Sequence, residues 1–215
     1  MLPEGLLILG FGGHARSAAD VAISAGIRSL LFVDANARQG ERFAGYPVQS
    51  SFAGPMPEGW ACLPAAGDGR RRKEQVEMAR AAGWPLATVV SPRATIGIGA
   101  TLGEGCFVGH HAHVGPMTRI GVAAIINTGA AVEHDCVLGD YVHVSVNATA
   151  AGWSRLGDFV FLGAGSTVID GVAVGDGITT GAGTVVVAPL RCPGIYVGAP
   201  ARQIKTSDPK EPARG

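Results

Sequence analysis

The residues best suited to chemistry are His134 and Asp135, which are adjacent, with His143 nine positions further along. An imidazole titrates near neutral pH, and a neighbouring carboxylate orients the ring and raises its basicity, so the pair can act as a general base. Cys136 comes next, but no Ser-His-Asp arrangement calls for a covalent intermediate. The pair is therefore a candidate for acid–base chemistry.

Three other histidines, His110, His111 and His113, lie close together and invite a metal-site hypothesis. Their spacing spans a predicted turn and points the side chains in different directions, which favours exposed side chains over shared metal ligands. The four cysteines form no Cys-x-x-Cys pair and indicate a reducing compartment. We therefore expect no bound metal.

A glycine-rich loop near the N-terminus predicts a diphosphate site. The apolar run Leu6–Leu9 has the length of a buried strand, and Gly10, Gly12 and Ala15 then fill the pattern G-x-G-x-x-[GA] at the start of a predicted helix. Backbone N–H groups and the helix dipole favour an anion there. A second apolar run ends at Asp34, whose carboxylate could accept from a ribose or base hydroxyl.

The segment before residue 91 predicts an α/β half-Rossmann domain. Fewer than about 95 residues are available, too few for both halves of a dinucleotide fold, so one nucleotide diphosphate fits better than a nicotinamide cofactor. A strand or loop at 46–48, a strand at 60–63 and a helix at 70–83 complete the domain. The basic run 70–73 is expected to be a solvated helix face, with a phosphate contact as the alternative.

His134 itself belongs to a six-residue repeat that runs from Ala94 to Val187 without an insertion. Of its sixteen units, fourteen have Ile, Leu or Val at the third position; the first position is small or β-branched, and the fourth is usually Gly. One unit cannot bury its aliphatic side chain alone, whereas stacked units bury a column. The period therefore predicts an all-β parallel β-helix, roughly 25 Å tall at about 4.8 Å between stacked strands.

The repeat departs from its own pattern near His134. Four central units replace the glycine after the apolar residue, by Asn127, Glu133, Ser145 and Ala151. Departures that cluster are expected at functional sites. His134 lies at a predicted corner outside the aliphatic column, and Gly152, one coil above, leaves room beside the ring for a ligand.

Composition narrows the class of protein. With 17 basic and 17 acidic side chains and no basic stripe, a nucleic-acid partner is not expected. No apolar run approaches a membrane span, and 6–9 is too short for a signal core, so we expect a cytoplasmic protein with no membrane partner. The expected divisions are a nucleotide-sugar domain at 1–90, a β-helix domain at 91–205 and a flexible tail at 206–215.

The Gly-Phe-Gly-Gly-His loop, the repeat, the run 127–140 and the ending Gly-Ala-Pro-Ala-Arg at 198–202 together carry a resemblance. From about Leu6 to Ile204 the chain resembles the hexapeptide-repeat sugar acetyltransferases of the sialic acid O-acetyltransferase and UDP-4-amino-sugar N-acetyltransferase type, which include perosamine N-acetyltransferases. The resemblance implies a left-handed prism with three hexads per coil, acetyl-CoA as co-substrate, and a homotrimer with acetyl-CoA between neighbouring coils.

The resemblance also implies roles for individual residues. His134 would be the general base and Asp135 the carboxylate that orients it. Contacts to acetyl-CoA would come from His143, Gly152, Ala164 and Ala182. Contacts to the nucleotide-linked sugar would come from Gly12, Gly13, His14, Asp34, Gly67 and Asn127. The implied reaction is acetylation of the amino group of a nucleotide-linked 4-amino-4,6-dideoxy sugar.

Several alternatives stay open at this stage. The sugar could be O-acetylated as in the sialic acid type, its nucleotide could be UDP, GDP or CMP, or the protein could bind a nucleotide sugar without catalysis. The γ-class carbonic anhydrases share the prism but need a His-x4-His zinc pair, and the residues five positions after His134 and His143 are Gly139 and Ala148.

Overall fold

The N-terminal part is a five-stranded sheet with two helices, in a computed structural model that describes residues 2–206. The strands are β1 Gly5–Leu9, β2 Ser29–Val33, β3 Arg42–Phe43, β4 Tyr46–Gln49 and β5 Trp60–Pro64. Their order is β3-β4-β2-β1-β5, and all neighbours are parallel except the hairpin pair β3 and β4. The half-Rossmann prediction is confirmed.

Helix α1 (Gly13–Ser24) packs on this sheet through a face of small side chains. The buried residues Ala15, Ala18, Ala19 and Ala22 follow the i, i+3, i+4, i+7 spacing of an amphipathic helix. Gly12 precedes the helix in an extended conformation, and no side chain caps the first N–H groups. The helix therefore presents uncapped donors at its N-terminus, beside the glycine-rich loop.

Helix α2 (Gly69–Ala81) corrects one expectation. Its N-cap is Asp68, whose carboxylate accepts from the backbone N–H groups of Arg70 and Arg71. The basic run was expected to be a solvated face, but Arg72 is 0% exposed. Arg72 shares the inner face of α2 with Val76 and Ala79, four and seven residues on, and this face packs against the rest of the protein.

The remaining strands form a left-handed parallel β-helix with three sheets, as predicted. Sheet I contains β6 Val89–Val90, β9 Phe107–Val108, β12 Ile125–Ile126, β15 His143–Val144, β18 Phe161–Leu162, β21 Ile178–Thr180, β23 Gly194–Val197 and β24 Arg202–Thr206. Sheet II contains β7 Thr95–Ile96, β10 His113–Val114, β13 Ala131–Val132, β16 Thr149–Ala150, β19 Thr167–Val168 and β22 Val185–Val186. Sheet III contains β8 Thr101–Leu102, β11 Arg119–Ile120, β14 Val137–Leu138, β17 Arg155–Leu156 and β20 Ala173–Val174.

Each of the sixteen strands β7 to β22 ends at the apolar third position of one hexad. From β9 onward the aliphatic side chains and the small first-position residues fill the interior of the prism as one buried cluster, whereas Ile96 in the first coil is 41% exposed. Cys106 and Cys136 belong to this cluster, and burial raises the pKa of each thiol to about 11. The column of stacked aliphatic side chains is therefore the core of the β-helix.

The turns between the sheets stack into three edges of the prism. We call corner 1 the turns from sheet I to sheet II, corner 2 those from sheet II to sheet III, and corner 3 those from sheet III to sheet I. Corner 3 carries a ladder of carboxylates: Oδ1 of Asp140 accepts from the N–H of Val122 at 2.8 Å, Oδ1 of Asp158 from that of Asp140 at 2.8 Å, and Oδ1 of Asp176 from that of Asp158 at 2.9 Å. The ladder ties each coil to the one before it.

The N-terminal domain packs on the outer surface of sheet I. Phe107 and Ile125 point out of the prism and belong to the buried cluster of α1 and the N-terminal sheet. Val76 of α2 packs at corner 3 against Ala123 and Tyr141. This packing places the glycine-rich loop beside the β-helix.

The C-terminal end of the described range closes sheet I, where β24 pairs antiparallel with β23. The tail predicted for 206–215 lies outside the described residues, apart from Thr206, which ends β24. Among residues 2–206, no helix combines the length and the apolar character that crossing a bilayer requires.

Candidate active site

His134 and Asp135 lie at corner 2, between β13 and β14, and their side chains are 40% and 42% exposed. Nδ1 of His134 lies 3.0 Å from Oδ2 of Asp135. Because the carboxylate only accepts, Nδ1 carries the hydrogen, and in the neutral ring the lone pair is then on Nε2. The corner thus presents an oriented imidazole with a free basic nitrogen.

The next coil shapes the space beside this ring. A Cβ added to Gly152 would lie 2.6 Å from both Cε1 and Nε2 of His134, so only glycine fits without moving the ring. Trp153 stands perpendicular to the imidazole, with the ring centroids 4.7 Å apart, and it is 60% exposed. Trp153 was not singled out from the sequence, where its only signal is a bulky residue at a predicted turn. The structure shows that this residue has a φ of +56°, which is uncommon for a bulky side chain.

His143 occupies a different environment, on the outer face of sheet I against the N-terminal domain. Its Nδ1 donates to the carbonyl of Gly67 at 3.1 Å, which leaves Nε2 to accept from Nδ2 of Asn127 at 3.2 Å. Burial lowers the pKa of this imidazole to about 3, and the charge of Arg72 adds to the effect. His143 is therefore neutral and held by both ring nitrogens; its predicted contact with acetyl-CoA stays a prediction.

The glycine-rich loop is open at its tip. Gly12 and Gly13 are exposed, and a Cβ added to either would meet no atom within 4 Å. Asp34 holds the loop in place, because its Oδ2 accepts from the N–H of Phe11 at 2.9 Å. The tip of the loop is therefore accessible, and its predicted contact with a diphosphate stays a prediction.

His14, in the first turn of α1, has both ring nitrogens buried, and neither has a partner among the described residues. Its ring lies 4.9 Å from that of Phe107 and 6.0 Å from that of His143, between centroids. Burial, with a smaller effect from Arg72, lowers its pKa to about 4. An unsatisfied buried imidazole calls for a water molecule or a ligand group, which agrees with the predicted substrate contact.

The predicted residues fall at two separate edges of one chain. His134, Asp135 and Gly152 meet at corner 2, whereas Asn127, Ala164 and Ala182 line corner 1, where the two alanines are exposed on successive coils. His143 and the N-terminal residues Gly12, Gly13, His14, Asp34 and Gly67 lie beside sheet I. Sheet II separates the two corners, so a single chain does not unite the base with the substrate residues.

The three clustered histidines do not converge. His110 binds Oγ of Ser91 through Nδ1 at 2.7 Å and Oδ2 of Asp20 through Nε2 at 3.0 Å. Nδ1 of His113 lies 2.6 Å from Oγ1 of Thr95. Over the described range 2–206, no three His, Cys, Asp or Glu side chains are arranged to hold a metal ion.

Comparison with known proteins places this geometry in a family. Residues 5–79 match the family model described as the PglD N-terminal domain. The chain is similar to the acetyltransferase domain of PglB from Neisseria gonorrhoeae FA1090, solved alone and with acetyl coenzyme A; the former is 31% identical, with 94% of this chain and 100% of that chain covered and a TM-score of 0.87.

A second relative is PerB from Caulobacter crescentus, solved in complex with CoA and GDP-perosamine. It is 35% identical, with 93% of this chain and 96% of that chain covered and a TM-score of 0.86. WeeI from Acinetobacter baumannii AYE, at 23% identity and a TM-score of 0.84 with 93% and 99% covered, shares the fold. The chain therefore belongs to the hexapeptide-repeat sugar N-acetyltransferase family.

Proposed function

We propose that this protein transfers the acetyl group of acetyl-CoA to the amino group of a nucleotide-linked 4-amino-4,6-dideoxy sugar, either a UDP-amino sugar or GDP-perosamine. The observation that carries the proposal is the His134–Asp135 pair, with Nε2 free and the imidazole accommodated against Gly152. The relatives support the substrates, since PerB was solved with CoA and GDP-perosamine. The open loop at Gly12 and Gly13 supports a nucleotide diphosphate.

His134 acts as the general base. Its Nε2 accepts a proton from the sugar amine as the amine nitrogen bonds to the thioester carbonyl carbon. When the carbon–sulfur bond breaks, His134 returns this proton to the departing thiolate, so charge balances over the cycle. Asp135 holds the ring in the Nδ1–H tautomer and stabilises the imidazolium, and general base catalysis of this kind contributes about 10²–10⁴-fold to the rate.

Of two groups near His134, one is assigned a role in the reaction and the other is excluded. We assign the oxyanion donor to the backbone N–H of Gly152, on the coil next to the base. Cys136 is excluded as a nucleophile, because it is 0% exposed within the prism and burial raises the pKa of its thiol to about 11. The acetyl group therefore passes directly from thioester to amine.

The assignment of His134 is tested with His134→Asn. Initial rates with acetyl-CoA and the amino sugar should fall by about 10²–10⁴-fold in kcat/KM. The matched control is His111→Asn, since His111 is an exposed corner histidine with φ +58°, a conformation that asparagine tolerates well. Unchanged kcat/KM in His134→Asn would remove the base assignment.

We also propose that a second copy of the chain completes the site within a homotrimer. Support comes from the separation of corners 1 and 2 in one chain, and from large apolar side chains exposed along corner 2 beside His134: Ile98, Met117, Trp153, Ile169 and Val187. A solution mass of three times the 21.8 kDa chain is expected. Co-expressed His134→Asn and Asn127→Ala chains should show more activity than the two variants prepared separately; no gain would contradict a shared site.

The nucleotide is identified by thermal shift against UDP-, GDP- and CMP-linked amino sugars. A true ligand at about 100 times its Kd stabilises the protein by roughly 2.7 kcal/mol. Equal thermal shifts with all three nucleotides would contradict selective recognition of the base.

All four cysteines are free, which supports the proposal that the enzyme works in the reducing cytoplasm.

A further inference from the structure

Arg72 is a fully buried cation whose five N–H donors all bind main-chain carbonyls. Nε donates to Ala123 at 2.8 Å, Nη1 to Ala66 and Gly67 at 2.9 and 2.8 Å, and Nη2 to Tyr141 and Val142 at 2.6 and 3.2 Å. The two carbonyls bound by Nη1 belong to the loop after β5, and the other three belong to the β-helix, in the turns of corner 3. One side chain therefore joins the loop after β5, in the N-terminal domain, to the β-helix that carries the proposed base.

Simple attachment of α2 to the β-helix would not require this arrangement. Taking a charge out of water is costly, and an apolar side chain would pack between the domains with a smaller penalty. A planar guanidinium differs in that it imposes a fixed geometry on several acceptors at once. The geometry of the carbonyls that Arg72 binds is therefore the feature to follow.

The Gly67 carbonyl continues the network. It accepts from Nη1 of Arg72 and also from Nδ1 of His143, at 2.8 and 3.1 Å. Nε2 of His143 accepts from Nδ2 of Asn127 at 3.2 Å, and Oδ1 of Asn127 accepts from the N–H of Thr128 at 2.8 Å. The Asn127 amide is thus fixed at both ends, with its second N–H not used by His143.

We propose that Arg72 is a positioning residue for substrate recognition: through Gly67 and His143 it fixes the Asn127 amide so that the remaining N–H meets an oxygen of the acceptor sugar. The inference rests on the proposed function in that Asn127 contacts the sugar. This network requires a neutral His143. In a protonated ring Nε2 would also carry a hydrogen, so it could no longer accept from the Asn127 amide N–H. Burial and the Arg72 charge together keep the pKa of that ring at about 3.

The kinetic test uses Arg72→Lys, which keeps the charge but lacks the five-donor fork. The KM for the nucleotide sugar should rise roughly ten- to a hundredfold, because misplacement of about 1 Å has effects of that size. The KM for acetyl-CoA should rise much less, because its other predicted contacts, Gly152, Ala164 and Ala182, are not part of this network. Arg71→Lys, at an exposed arginine on the same helix, is the matched control and should match wild type.

A double-mutant cycle separates positioning from general loosening. In an Asn127→Ala background, Arg72→Lys should add less than about threefold to the sugar KM, because both changes act through one amide. Independent, multiplying effects of the two changes would overturn the proposal. So would equal rises in both KM values for Arg72→Lys alone.

A measurement without turnover keeps this inference distinct from the proposed function. Nitrogen-15 NMR of the imidazoles should show His143 as the neutral Nδ1–H tautomer in the wild-type protein and a tautomer mixture in Arg72→Lys. An unchanged His143 spectrum in the variant would overturn the network even if the enzyme is active. If wild type fails to acetylate any nucleotide amino sugar, the proposed function fails, while the NMR result still decides the network.

Discussion

Replacing Gly152 with alanine places a methyl group against the edge of His134 that carries Nε2, the proposed base. The added Cβ would lie 2.6 Å from Cε1 and Nε2 and 3.3 Å from Cδ2, whereas carbon contacts relax at about 3.5–4.0 Å. The imidazole must therefore withdraw by about 1 Å, although Asp135 holds it at Nδ1. A displacement of this size costs up to about 10²-fold in rate. We expect kcat to fall by roughly that factor.

The assay follows release of the CoA thiol with the amino sugar saturating. Stability should change little, because the ring is 40% exposed and can move toward solvent. The control is Asp170→Ala, which alters the same corner one coil further on, at an exposed position away from the ring. A kcat for Gly152→Ala within about twofold of wild type would refute the argument that Nε2 must reach the amine from this position.

Three other results are expected. His14 and His143 have pKa values of about 4 and 3 in the folded protein against 6.5 when unfolded, so the unfolded state binds more protons below pH 6.5. The free energy of unfolding, measured in urea, should therefore fall by about 2 kcal/mol per ring from pH 8 to pH 5. The fall should be smaller in His143→Gln, which lacks one of the two rings. Asp158→Ala should lower stability by about 1 kcal/mol by breaking the corner 3 ladder, and an unchanged thermal midpoint would contradict this. A thiol reagent should modify Cys192 rapidly and the three buried cysteines only upon unfolding; fast reaction of more than one thiol would contradict their burial.

The β-helix could be predicted almost completely from the sequence, because its determinants are local. Each hexad carries its own apolar third residue and its own turn, so the period alone sets the register of sixteen strands. The N-terminal strands could also be predicted from the sequence, since strands buried on both faces of a parallel sheet are continuous apolar runs such as Leu6–Leu9.

The packing between domains could not be predicted in the same way. Charge patterning favoured a solvated Arg72, and only the spacing to Val76 and Ala79 hinted that it faces inward. His143 was predicted only as an acetyl-CoA contact, and its burial under the N-terminal domain on the outer face of sheet I has no signal in the sequence. Both differences come from contacts between residues far apart in sequence, which periodicity does not record.

Strands that pair along each face of the prism are eighteen residues apart, as His113 and Ala131 are. A gain or loss of one or two residues would rotate every later aliphatic side chain out of the column, whereas a whole added coil would preserve it. Homologues of this chain should therefore differ in length by complete coils, inserted or deleted only after the coils that hold His134 and Gly152. We therefore expect natural variation in length to be confined to the far end of the prism, while the coils around His134 keep a constant number of residues.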